Sequence, residues 1–598
     1  MKFDLILVVI LVLVAGVSWK VMKPDVPKDI SELTVDKKNE NYFKPQEGAT
    51  LVVEENLQKE EQVEDNSSST KNVDVEKIEK KRDKVVLKEH TPSHKIEKNK
   101  IEKNHHTIPA FPGAEGGGAA SRGGRGGKVY VVTNLNSRGR GSLRYGLEKV
   151  HGARTIVFRV GGYIHLDKAI VVDDDAFITI AGQSASGDGI TVTSVSSIDE
   201  VFLFRRCHDI TMRYIRIRKG GRKAKGQQGS SLVFAQSGKN IIVDHCSISW
   251  SGDDNIEIAV WKPKSLKKGL QNITLQYNII SEGLSHGHAA TGVIAGGSNN
   301  IEKMTDISIH HNLFANSQNR DPLMKVASGD VVSNLIYNWS WWATGISGGM
   351  VVDIINNKYK AGPNLKSKGR NRGEIVLKDF DPKHKIPGAT GLNRKASVFL
   401  EGNIGPHNSV SSRDAWDLMV EKVDKNWSYF YKNGKRRKTI APRSYQRKTR
   451  RALKYPITLT PADKLEDMLL RRGGVGASRR LSASGAWIEN HDLVDRRVIK
   501  DYKNGEGTKL MNVDSVGGWP VYLGDNRYRY VSEKEFIKNL KKYKLNGGTP
   551  YEDSDRDGMS DVWEDKYGFN KNDKSDAIGD RDGDGYDNLE EFLNGTRP

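Results

Sequence analysis

The middle of the chain carries a strand repeat, which constrains the fold more than any other feature. Its copies begin at Asp209, Asn240, Asn272 and Asp306, at spacings of 31, 32 and 34 residues. Each copy continues with β-branched residues in period-two alternation, a polar pair and a second short apolar piece, a pattern typical of a strand, a bend and another strand. Such repeats cannot bury their apolar faces alone, so neighbouring copies have to stack. The repeat therefore predicts an all-β protein built as a parallel β-helix.

The N-terminus has the features of an export signal. An apolar run from Leu5 to Trp19 lies between Lys2 and Lys20. This run suits a signal peptide and is shorter than the ~20 residues that cross a bilayer comfortably. We expect residues 1–20 to be a signal peptide or a membrane anchor, and the sequence leaves both open. The protein is then secreted or membrane-anchored, on the extracellular or periplasmic side.

Residues 21–106 separate this signal from the repeat region. They consist mainly of Lys, Glu, Asp, Asn and Ser with scattered valines. Such a composition lacks the apolar density needed to fold. It predicts a disordered charged linker between a membrane or cell wall and the repeat region, with a helical stalk as the alternative.

The formal charge of +19 is unevenly distributed, and this bears on the partner. Residues 361–454 hold 23 Lys and Arg against 8 Asp and Glu, whereas residues 551–598 hold 6 against 15. A basic region suits a polyanion, although a solvated surface loop is the simpler explanation. The sequence has no zinc-knuckle spacing and no aromatic RNA-binding signature, so we expect no nucleic acid. We predict that the partner is an acidic polysaccharide. We expect the protein to bind it as a monomer.

Three segments at the start of the repeat region resemble a known family. They are the string from Phe111 to Gly118, the Val-Thr-Asn-Leu from Val132 followed by the Gly-Ser-Leu-Arg from Gly141, and the stretch from Ile180 to Ile190. In this order they resemble the opening coils of the pectate lyases of polysaccharide lyase family 1, a likeness that runs from about residue 108 to about residue 530. The resemblance implies a right-handed parallel β-helix as the catalytic domain, residues 107–548. It also implies a polysaccharide lyase that cleaves pectate or a related polyuronate.

A lyase that cleaves a polyuronate by β-elimination has to remove the proton α to the uronate carboxylate. A hard cation with oxygen ligands can neutralise that carboxylate, and a base must then be held at the carbon. Asp244-His245 followed by Asp253 and Glu257 resembles the family's Ile-Asp-His segment with two calcium carboxylates four residues apart. The resemblance makes Asp253 and Glu257 ligands of a catalytic Ca²⁺, with Asp254 as an accessory ligand. A polar turn between coils is the alternative reading.

The stretch from His310 to Lys325 resembles the family's His-Asn strand followed by Arg-x-Pro-x-x-Arg. The match makes Arg320 the catalytic base and Lys325 the cation that binds substrate. His286 and His288 lie where related enzymes place a substrate-binding Lys. Two departures stand out, since Lys325 replaces the final Arg and Ser231 takes the place of a further calcium Asp.

Two other functions stay open at this point. The Gly-Asp-Asp at Gly252 and the later His286-Gly-His288 resemble the polygalacturonase hydrolases, which are also β-helices and add water with aspartates as acid and base. Their Asn-Thr-Asp turn and Arg-Ile-Lys are missing from the sequence. Because of Ser231 and Lys325, a non-catalytic polysaccharide-binding β-helix is the second alternative.

Two segments near the C-terminus match the calcium-loop pattern, in which alternating oxygens point inward, a Gly permits a sharp turn and a final Glu binds through both oxygens. The predicted ligands are Asp553, Asp555, Asp557, Asp561 and Glu564 in the first loop and Asp580, Asp582, Asp584, Asn588 and Glu591 in the second. The pair resembles the calcium-binding repeats of dockerin-like modules. We therefore expect residues 549–598 to form a small α-helical module with paired calcium-binding loops and a structural or adhesive role.

Overall fold

A computed structural model describes residues 51–52 and 108–598. Within that span it leaves out residues 195–199, 221–228, 262–268, 285–290, 297–300, 348, 367–372, 379–391, 393, 412–413, 422–430, 433–434 and 437–439. The predicted signal segment, nearly all of the predicted linker, His286 and His288 therefore lie outside the described residues.

Three parallel sheets form the body of the protein, and successive strands of the chain join them in turn. The strands, numbered in chain order, are listed here sheet by sheet. The nine-stranded sheet contains β5 (Ile170–Asp173), β8 (Phe202–Arg205), β11 (Leu232–Ala235), β14 (Asp254–Ala259), β17 (Thr291–Ala295), β20 (Leu323–Met324), β23 (Thr344–Ser347), β26 (Ile375–Lys378) and β28 (Met419–Glu421). The ten-stranded sheet contains β2 (Lys128–Val132), β3 (Arg154–Phe158), β6 (Ala176–Ala181), β9 (His208–Arg213), β12 (Gly238–Asp244), β15 (Leu270–Gln276), β18 (Thr305–His310), β21 (Ser328–Val332), β24 (Val351–Ile355) and β27 (Ser397–Glu401). The eight-stranded sheet contains β4 (Gly162–His165), β7 (Ile190–Thr193), β10 (Arg216–Arg218), β13 (Ser247–Ser249), β16 (Ile279–Ser281), β19 (Leu313–Ala315), β22 (Leu335–Tyr337) and β25 (Lys358–Lys360). This is the parallel β-helix that the repeat predicts.

Short antiparallel pairs and helices complete the described chain. The remaining strands are β1 (Leu51–Val52), β29 (Tyr431–Lys432), β30 (Lys435–Arg436), β31 (Arg479–Leu481), β32 (Trp487–Glu489), β33 (Trp519–Gly524) and β34 (Arg527–Val531). The α-helices are α1 (Leu143–Glu148), α2 (Pro363–Lys366), α3 (Leu465–Leu469), α4 (Leu493–Asn504), α5 (Glu533–Lys538), α6 (Asp561–Tyr567) and α7 (Asn588–Asn594). No described helix has both the length and the apolar character needed to cross a membrane.

The polar residue that opens each repeat has a backbone role. Asp209, Asn240, Asn272 and Asp306 all have a positive φ, between 54° and 56°. Asp and Asn tolerate this left-handed conformation better than other side chains with a Cβ. The isoleucine that follows each of them stacks in register on the next, as Ile210, Ile241, Ile273 and Ile307 do in the ten-stranded sheet. One position of the repeat thus turns the chain, and the next builds the core.

An asparagine ladder runs through five coils inside the β-helix. Its members are Asn278, Asn312, Asn334, Asn357 and Asn403, all fully buried. In Asn312, Asn334, Asn357 and Asn403 the side-chain Oδ1 accepts from the backbone N–H and the Nδ2 of the asparagine one coil earlier, at 2.8–3.0 Å, whereas Asn278 Oδ1 accepts from Cys246 N at 2.8 Å. Each Nδ2 also donates to a backbone carbonyl. Because buried amides are costly when unpaired, this ladder supports the bend at every coil it crosses.

The C-terminal third packs on the outside of the coil. Helices α3 and α4 cover the eight-stranded sheet through a cluster that includes Leu465, Val498 and Tyr502. Residues beyond 549 cover the first strands of the ten-stranded sheet, where Trp563 and Phe592 share a cluster with Val157 and Ala181. The outer face of the nine-stranded sheet around β14 and β20 carries the chemistry described next.

Candidate active site

The three predicted carboxylates lie at or near the start of strand β14. Ile256 and Ile258 point into the interior cluster of the coil. Glu257 lies between them and therefore faces outward. Asp254 is the first residue of the strand and is 2% exposed, whereas Asp253 lies in the bend before it and has a side chain that is 29% exposed.

Asp254 binds the guanidinium of Arg320. Arg320 Nη1 donates to Asp254 Oδ2 at 2.8 Å and to Oδ1 at 3.0 Å, and the hydroxyl of Thr291 donates to Oδ1 at 2.6 Å. Burial raises the pKa of Asp254, while the charge of Arg320 opposes that shift and the charge of Asp253 adds to it. Arg320 Nη1 also lies 4.0 Å from Asp253 Oδ1. The structure therefore brings Arg320 together with Asp253 and Asp254.

Glu257 is held by two donors on the same outer face. Trp261 Nε1 donates to Oε1 at 2.6 Å, and the hydroxyl of Ser230 donates to Oε2 at 3.1 Å. Burial, with the nearby charge of Asp254, raises the pKa of Glu257 to about 7. The carboxylate is thus oriented at the surface of the sheet with little solvent around it.

Ser231, which takes the place of a further calcium Asp, lies next to another serine. Its side chain is fully buried and pairs with the hydroxyl of Ser251. The preceding residue, Ser230, is the one that reaches Glu257. A hydroxyl at Ser230 therefore occupies the place next to Glu257.

Lys325 also lies on the outer face, beyond β20. Leu323 belongs to an outer cluster with Trp342 and Met324 to the interior core, so Lys325 points outward again. A Cβ added at Gly296 would lie 2.5 Å from the Lys325 Cβ, so the neighbouring coil needs a glycine at this contact. In the register of the sheet, Glu257 pairs with Ile294, which pairs with Leu323. Arg320, Lys325 and Glu257 thus occupy one surface that spans β14, β17 and β20.

The other polar motifs of the repeat are structural in this arrangement. Asp244 is fully buried and accepts from Arg213 Nε at 2.8 Å and from Gln276 Nε2 at 2.8 Å. His245 stacks between the rings of Tyr214 and Tyr277, with centroids 5.0 and 4.9 Å apart. These side chains hold neighbouring coils together on the ten-stranded sheet and its following turn, away from β14.

Sequence comparison identifies the family. No family model matches the chain. Over 469 residues the chain is 30% identical to the probable pectate lyase C of Aspergillus terreus, an alignment that covers 77% of this chain and 88% of that protein. The chain belongs to the pectate lyase family. The probable pectate lyase C of Aspergillus flavus is 37% identical over 272 residues, which cover 44% of this chain and 58% of that protein.

Solved pectate lyase structures are more distant. A pectate lyase of Bacillus sp. N165, solved with trigalacturonate, is 16% identical, with a TM-score of 0.37 over 61% of this chain and 99% of that one. The family assignment rests on the sequence relatives, and the β-helix is seen directly in the sheets of this pectate lyase family member.

The first C-terminal loop gathers carboxylates from three segments. Ligand oxygens of Asp553, Asp555 and Asp557 lie within 4.8 Å of one another, and so do those of Asp557, Glu564 and Asp576. Burial raises the pKa of Asp557 and of Glu564 to about 8. Asp561, predicted as a ligand, instead accepts from the backbone N–H and hydroxyl of Ser554 at 2.8 and 2.7 Å. Asp576 is a member of this group that the twelve-residue pattern does not contain.

The second loop is more open than the first. Its aspartates Asp580, Asp582 and Asp584 are exposed, and their ligand oxygens lie within 4.8 Å of one another. Glu591 is 3% exposed, with an Oε2 that has no hydrogen-bond partner in the described structure. The Asn588 side chain accepts from Arg581 N at 3.3 Å and donates to the Asp576 carbonyl at 2.6 Å, so it links the two loops.

Three residues that form hydrogen bonds with the predicted site residues were not predicted from the sequence. Thr291 orients Asp254, and Ser230 and Trp261 orient Glu257. Nothing in the spacing of these three residues sets them apart in the sequence. Within the described part of the chain, Asp253, Asp254 and Glu257 are not among the groups of three whose ligand atoms converge within 4.8 Å.

Proposed function

We propose that this protein is a calcium-dependent pectate lyase that cleaves polygalacturonate, or a related polyuronate, by β-elimination to give unsaturated oligouronides. The observation that supports the proposal is the pairing of Arg320 with Asp254 beside the carboxylates Asp253 and Glu257, in a chain that aligns with most of a probable pectate lyase. We treat the predicted substrate-binding Lys325, the predicted base and the predicted calcium carboxylates as parts of one site.

The residues of this site have separate roles in the proposed reaction. We assign Arg320 as the base, which can take the proton from the carbon α to the uronate carboxylate only as the neutral guanidine, after giving up its own proton. The electron pair of that C–H bond forms the new C=C bond as the glycosidic C–O bond at the β carbon breaks, and the leaving oxygen takes a proton from water. Asp254 and Thr291 hold the guanidinium of Arg320 in place, so we assign Asp254 a positioning role in preference to a role as a metal ligand. Lys325 binds a substrate carboxylate as a point charge, without the bidentate fork of an arginine. We keep His286 and His288 as candidate substrate-binding residues.

The residues at β14 offer the oxygen donors that a hard cation prefers, although Asp253, Asp254 and Glu257 are not a converged group of three in the described structure. Asp253 and Glu257 supply carboxylate oxygens and Ser230 a hydroxyl 3.1 Å from Glu257. Ca²⁺ takes six to eight oxygen ligands, so water and the substrate would supply the others. When bound, the cation neutralises the uronate carboxylate and makes the neighbouring proton more acidic. The low ligand count suggests a site that is completed by substrate.

The test follows the ultraviolet absorbance of the unsaturated product. The full-length protein is incubated with polygalacturonate and Ca²⁺, and we expect absorbance to rise with time and to stop after chelation. Arg320→Ala should lower turnover at least about 100-fold, the usual loss when a key transition-state contact is removed. Arg138→Ala, at an exposed arginine paired with Asp167, is the matched control and should keep full activity.

Two outcomes would overturn this assignment. New reducing ends without the absorbance would mean hydrolysis. Pectate binding without any cleavage would mean a binding protein on the same scaffold. A lyase signal that Arg320→Ala does not reduce would keep the reaction but move the base to another residue.

For the rest of the chain we propose export through the N-terminal segment and attachment to a wall or membrane. Family members act on an extracellular polymer, and this is where a lyase of pectate would meet its substrate. Fractionation of cells that express the full chain, followed by N-terminal sequencing, distinguishes a cleaved signal from a retained anchor. Protein found only in the cytosol would contradict the proposal.

We also propose that both C-terminal loops bind Ca²⁺. The motif match covers positions 1, 3, 5, 6, 9 and 12 of each loop, and the glycines at position 6, Gly558 and Gly585, have φ of 97° and 102°. A positive φ of this size gives the sharp turn that such a loop requires. The test of these loops compares the binding of Mg²⁺ with the binding of Ca²⁺, because Mg²⁺ demands stricter octahedral geometry than Ca²⁺.

A further inference from the structure

Five carboxylates from three separate segments meet at the first C-terminal loop. Asp553, Asp555 and Asp557 come from the loop itself, Glu564 from helix α6 and Asp576 from the 3₁₀ turn at Asp576–Ile578. Asp576 lies twelve residues beyond the end of the loop motif. In the described chain this is the one group in which carboxylates of a calcium loop converge with a residue from outside that loop.

The hydrogen bonds divide each aspartate into a used and an unused oxygen. Asp553 Oδ1, Asp555 Oδ1 and Asp557 Oδ1 accept backbone N–H groups at 3.1, 3.2 and 2.8 Å, and Asp576 Oδ2 accepts from Asn570 N at 3.1 Å. The other oxygens of Asp555, Asp557 and Asp576 are buried and have no hydrogen-bond partner in the described structure, whereas Asp553 Oδ2 lies 3.3 Å from Arg159 Nη1. The backbone thus holds each carboxylate by one oxygen, and at Asp555, Asp557 and Asp576 the second oxygen is available.

The side chain of Glu564 gives a second observation that points to a bound metal ion. Its side chain is 0% exposed, and neither carboxylate oxygen has a hydrogen-bond partner in the described structure. Its ligand oxygen lies within 4.8 Å of those of Asp557 and Asp576. A buried carboxylate without hydrogen bonds is costly unless it is neutralised or coordinates a metal. Two groups of three carboxylates that share Asp557 offer the oxygen donors that Ca²⁺ prefers.

The same loop is attached to the β-helix. Arg159, which follows β3, lies 3.3 Å from both the carbonyl and Oδ2 of Asp553. Further along, Gly126 N donates to Asp587 at 2.9 Å, and Arg213 Nη1 donates to Asn594 Oδ1 at 2.8 Å. The cluster of Trp563 and Phe592 closes over Val157 of β3. The C-terminal segment therefore covers the outer face of the first strands of the ten-stranded sheet.

We propose that Asp576 is a ligand of the Ca²⁺ in the first loop, and that this ion fastens residues 553–578 together against the opening coils of the β-helix. The inference rests on the calcium loops proposed above and not on the lyase reaction. It assigns the first loop a structural role, separate from the cation at Asp253 and Glu257. Residues 570–578 then become ordered with the loop instead of forming a passive linker between two loops.

The test measures calcium binding by the full-length protein after chelation and dialysis. Isothermal titration with Ca²⁺ is compared for the intact chain, Asp576→Asn and Asp573→Asn. Asp573 is the matched control, because it is exposed and its carboxylate only accepts from Ser575. We expect Asp576→Asn to weaken one class of sites about tenfold or more, as loss of a metal-site contact does. We also expect a smaller rise in unfolding temperature on adding calcium, and Asp573→Asn should match the intact chain.

The outcomes separate this inference from the wider proposal. Equal calcium affinity in Asp576→Asn and Asp573→Asn would exclude Asp576 as a ligand while leaving the loops intact. If Glu564→Gln binds calcium like the intact chain, the first loop is not a calcium site. Lyase activity at saturating Ca²⁺ should survive Asp576→Asn at low temperature, and its loss there would contradict the separation of the two ions.

A measurement on the intact chain covers the case in which Asp576→Asn fails to fold. Hydrogen–deuterium exchange is compared with and without Ca²⁺. We expect residues 570–578 to gain protection together with residues 553–564. Protection confined to residues 553–564 would overturn the role of Asp576.

Discussion

Arg320 and Asp254 form a buried ion pair across two coils of the β-helix. The guanidinium Nη1 lies 2.8 Å from Asp254 Oδ2, although the residues are 66 positions apart. Strand β17 runs between them and adds the Thr291 hydroxyl to the same carboxylate. The position of the proposed base therefore depends on the register of three successive coils.

Asp254→Asn should lower turnover without changing the calcium requirement. The amide cannot match the charge of Arg320, so the guanidinium loses its fixed position, and misplacement of a catalytic group costs about 100-fold. Turnover and the calcium concentration at half-maximal rate are measured together. Asp414→Asn, at an exposed carboxylate paired with Arg443, is the control. A strong rise in the calcium requirement would instead make Asp254 a metal ligand.

Asp253→Asn and Glu257→Gln should raise the calcium concentration needed for half-maximal activity. Each change removes one of the two proposed calcium carboxylates, and the loss of a ligand weakens a site that has few protein ligands. The rate of absorbance increase is measured over a calcium series. Glu302→Gln, at an exposed side chain, should leave the curve unchanged. If Asp253→Asn and Glu257→Gln also leave it unchanged, the catalytic cation does not bind at β14.

The sequence predicts this site in part, and the limit has a physical cause. Period-two alternation is enough to place Glu257 on the outer face of β14, and the repeat is enough to predict the stacked sheets. The pairing of Asp254 with Arg320 depends on how many residues each intervening turn inserts, which no local pattern encodes. The same holds for Asp576, which a tertiary contact brings to the first loop.

Asn312→Ala should destabilise the β-helix strongly. Its Nδ2 donates to Leu275 O, His310 O and Asn334 Oδ1, and its Oδ1 accepts from Asn278. Removing the amide leaves buried groups unpaired at about 1–3 kcal/mol each, so we expect a loss of about 3 kcal/mol in the free energy of unfolding. Denaturant unfolding measures it against Asn136→Ala, an exposed control. Equal stability of the two variants would mean that the ladder contributes little.

Because of Asp492, the free energy of unfolding should depend on pH under acidic conditions. Burial disfavours its charged form, but Arg218 and Arg216 outweigh this and hold the pKa of Asp492 at about 2. A lowered pKa in the folded state gives stability that is present above the unfolded pKa and lost as pH falls through the folded value. This pKa shift contributes about 2–3 kcal/mol to the free energy of unfolding, and that contribution is lost between about pH 4 and pH 2.

Asp492→Asn tests this dependence and keeps the N-cap of α4, because Asn caps as well as Asp. The free energy of unfolding of the variant should lie below that of the intact chain at pH 7, and the gap should narrow below pH 4. Asp525→Asn, at a carboxylate that is 89% exposed, is the control. A gap that stays constant down to pH 2 would mean that the ion pair with Arg218 does not set this pKa.

Trp563→Ala should lower the unfolding temperature of the whole described body and not of the C-terminal segment alone. Trp563 is 1% exposed and belongs to the cluster that includes Val157 of β3, so its loss leaves a cavity against the β-helix. A buried tryptophan replaced by alanine costs about 3–5 kcal/mol. Calorimetry in saturating Ca²⁺ should show the main transition moving down, whereas Val562→Ala, at a half-exposed neighbour in α6, should leave it in place. A separate small transition that alone responds to Trp563→Ala would mean that residues 549–598 fold independently of the coil they cover.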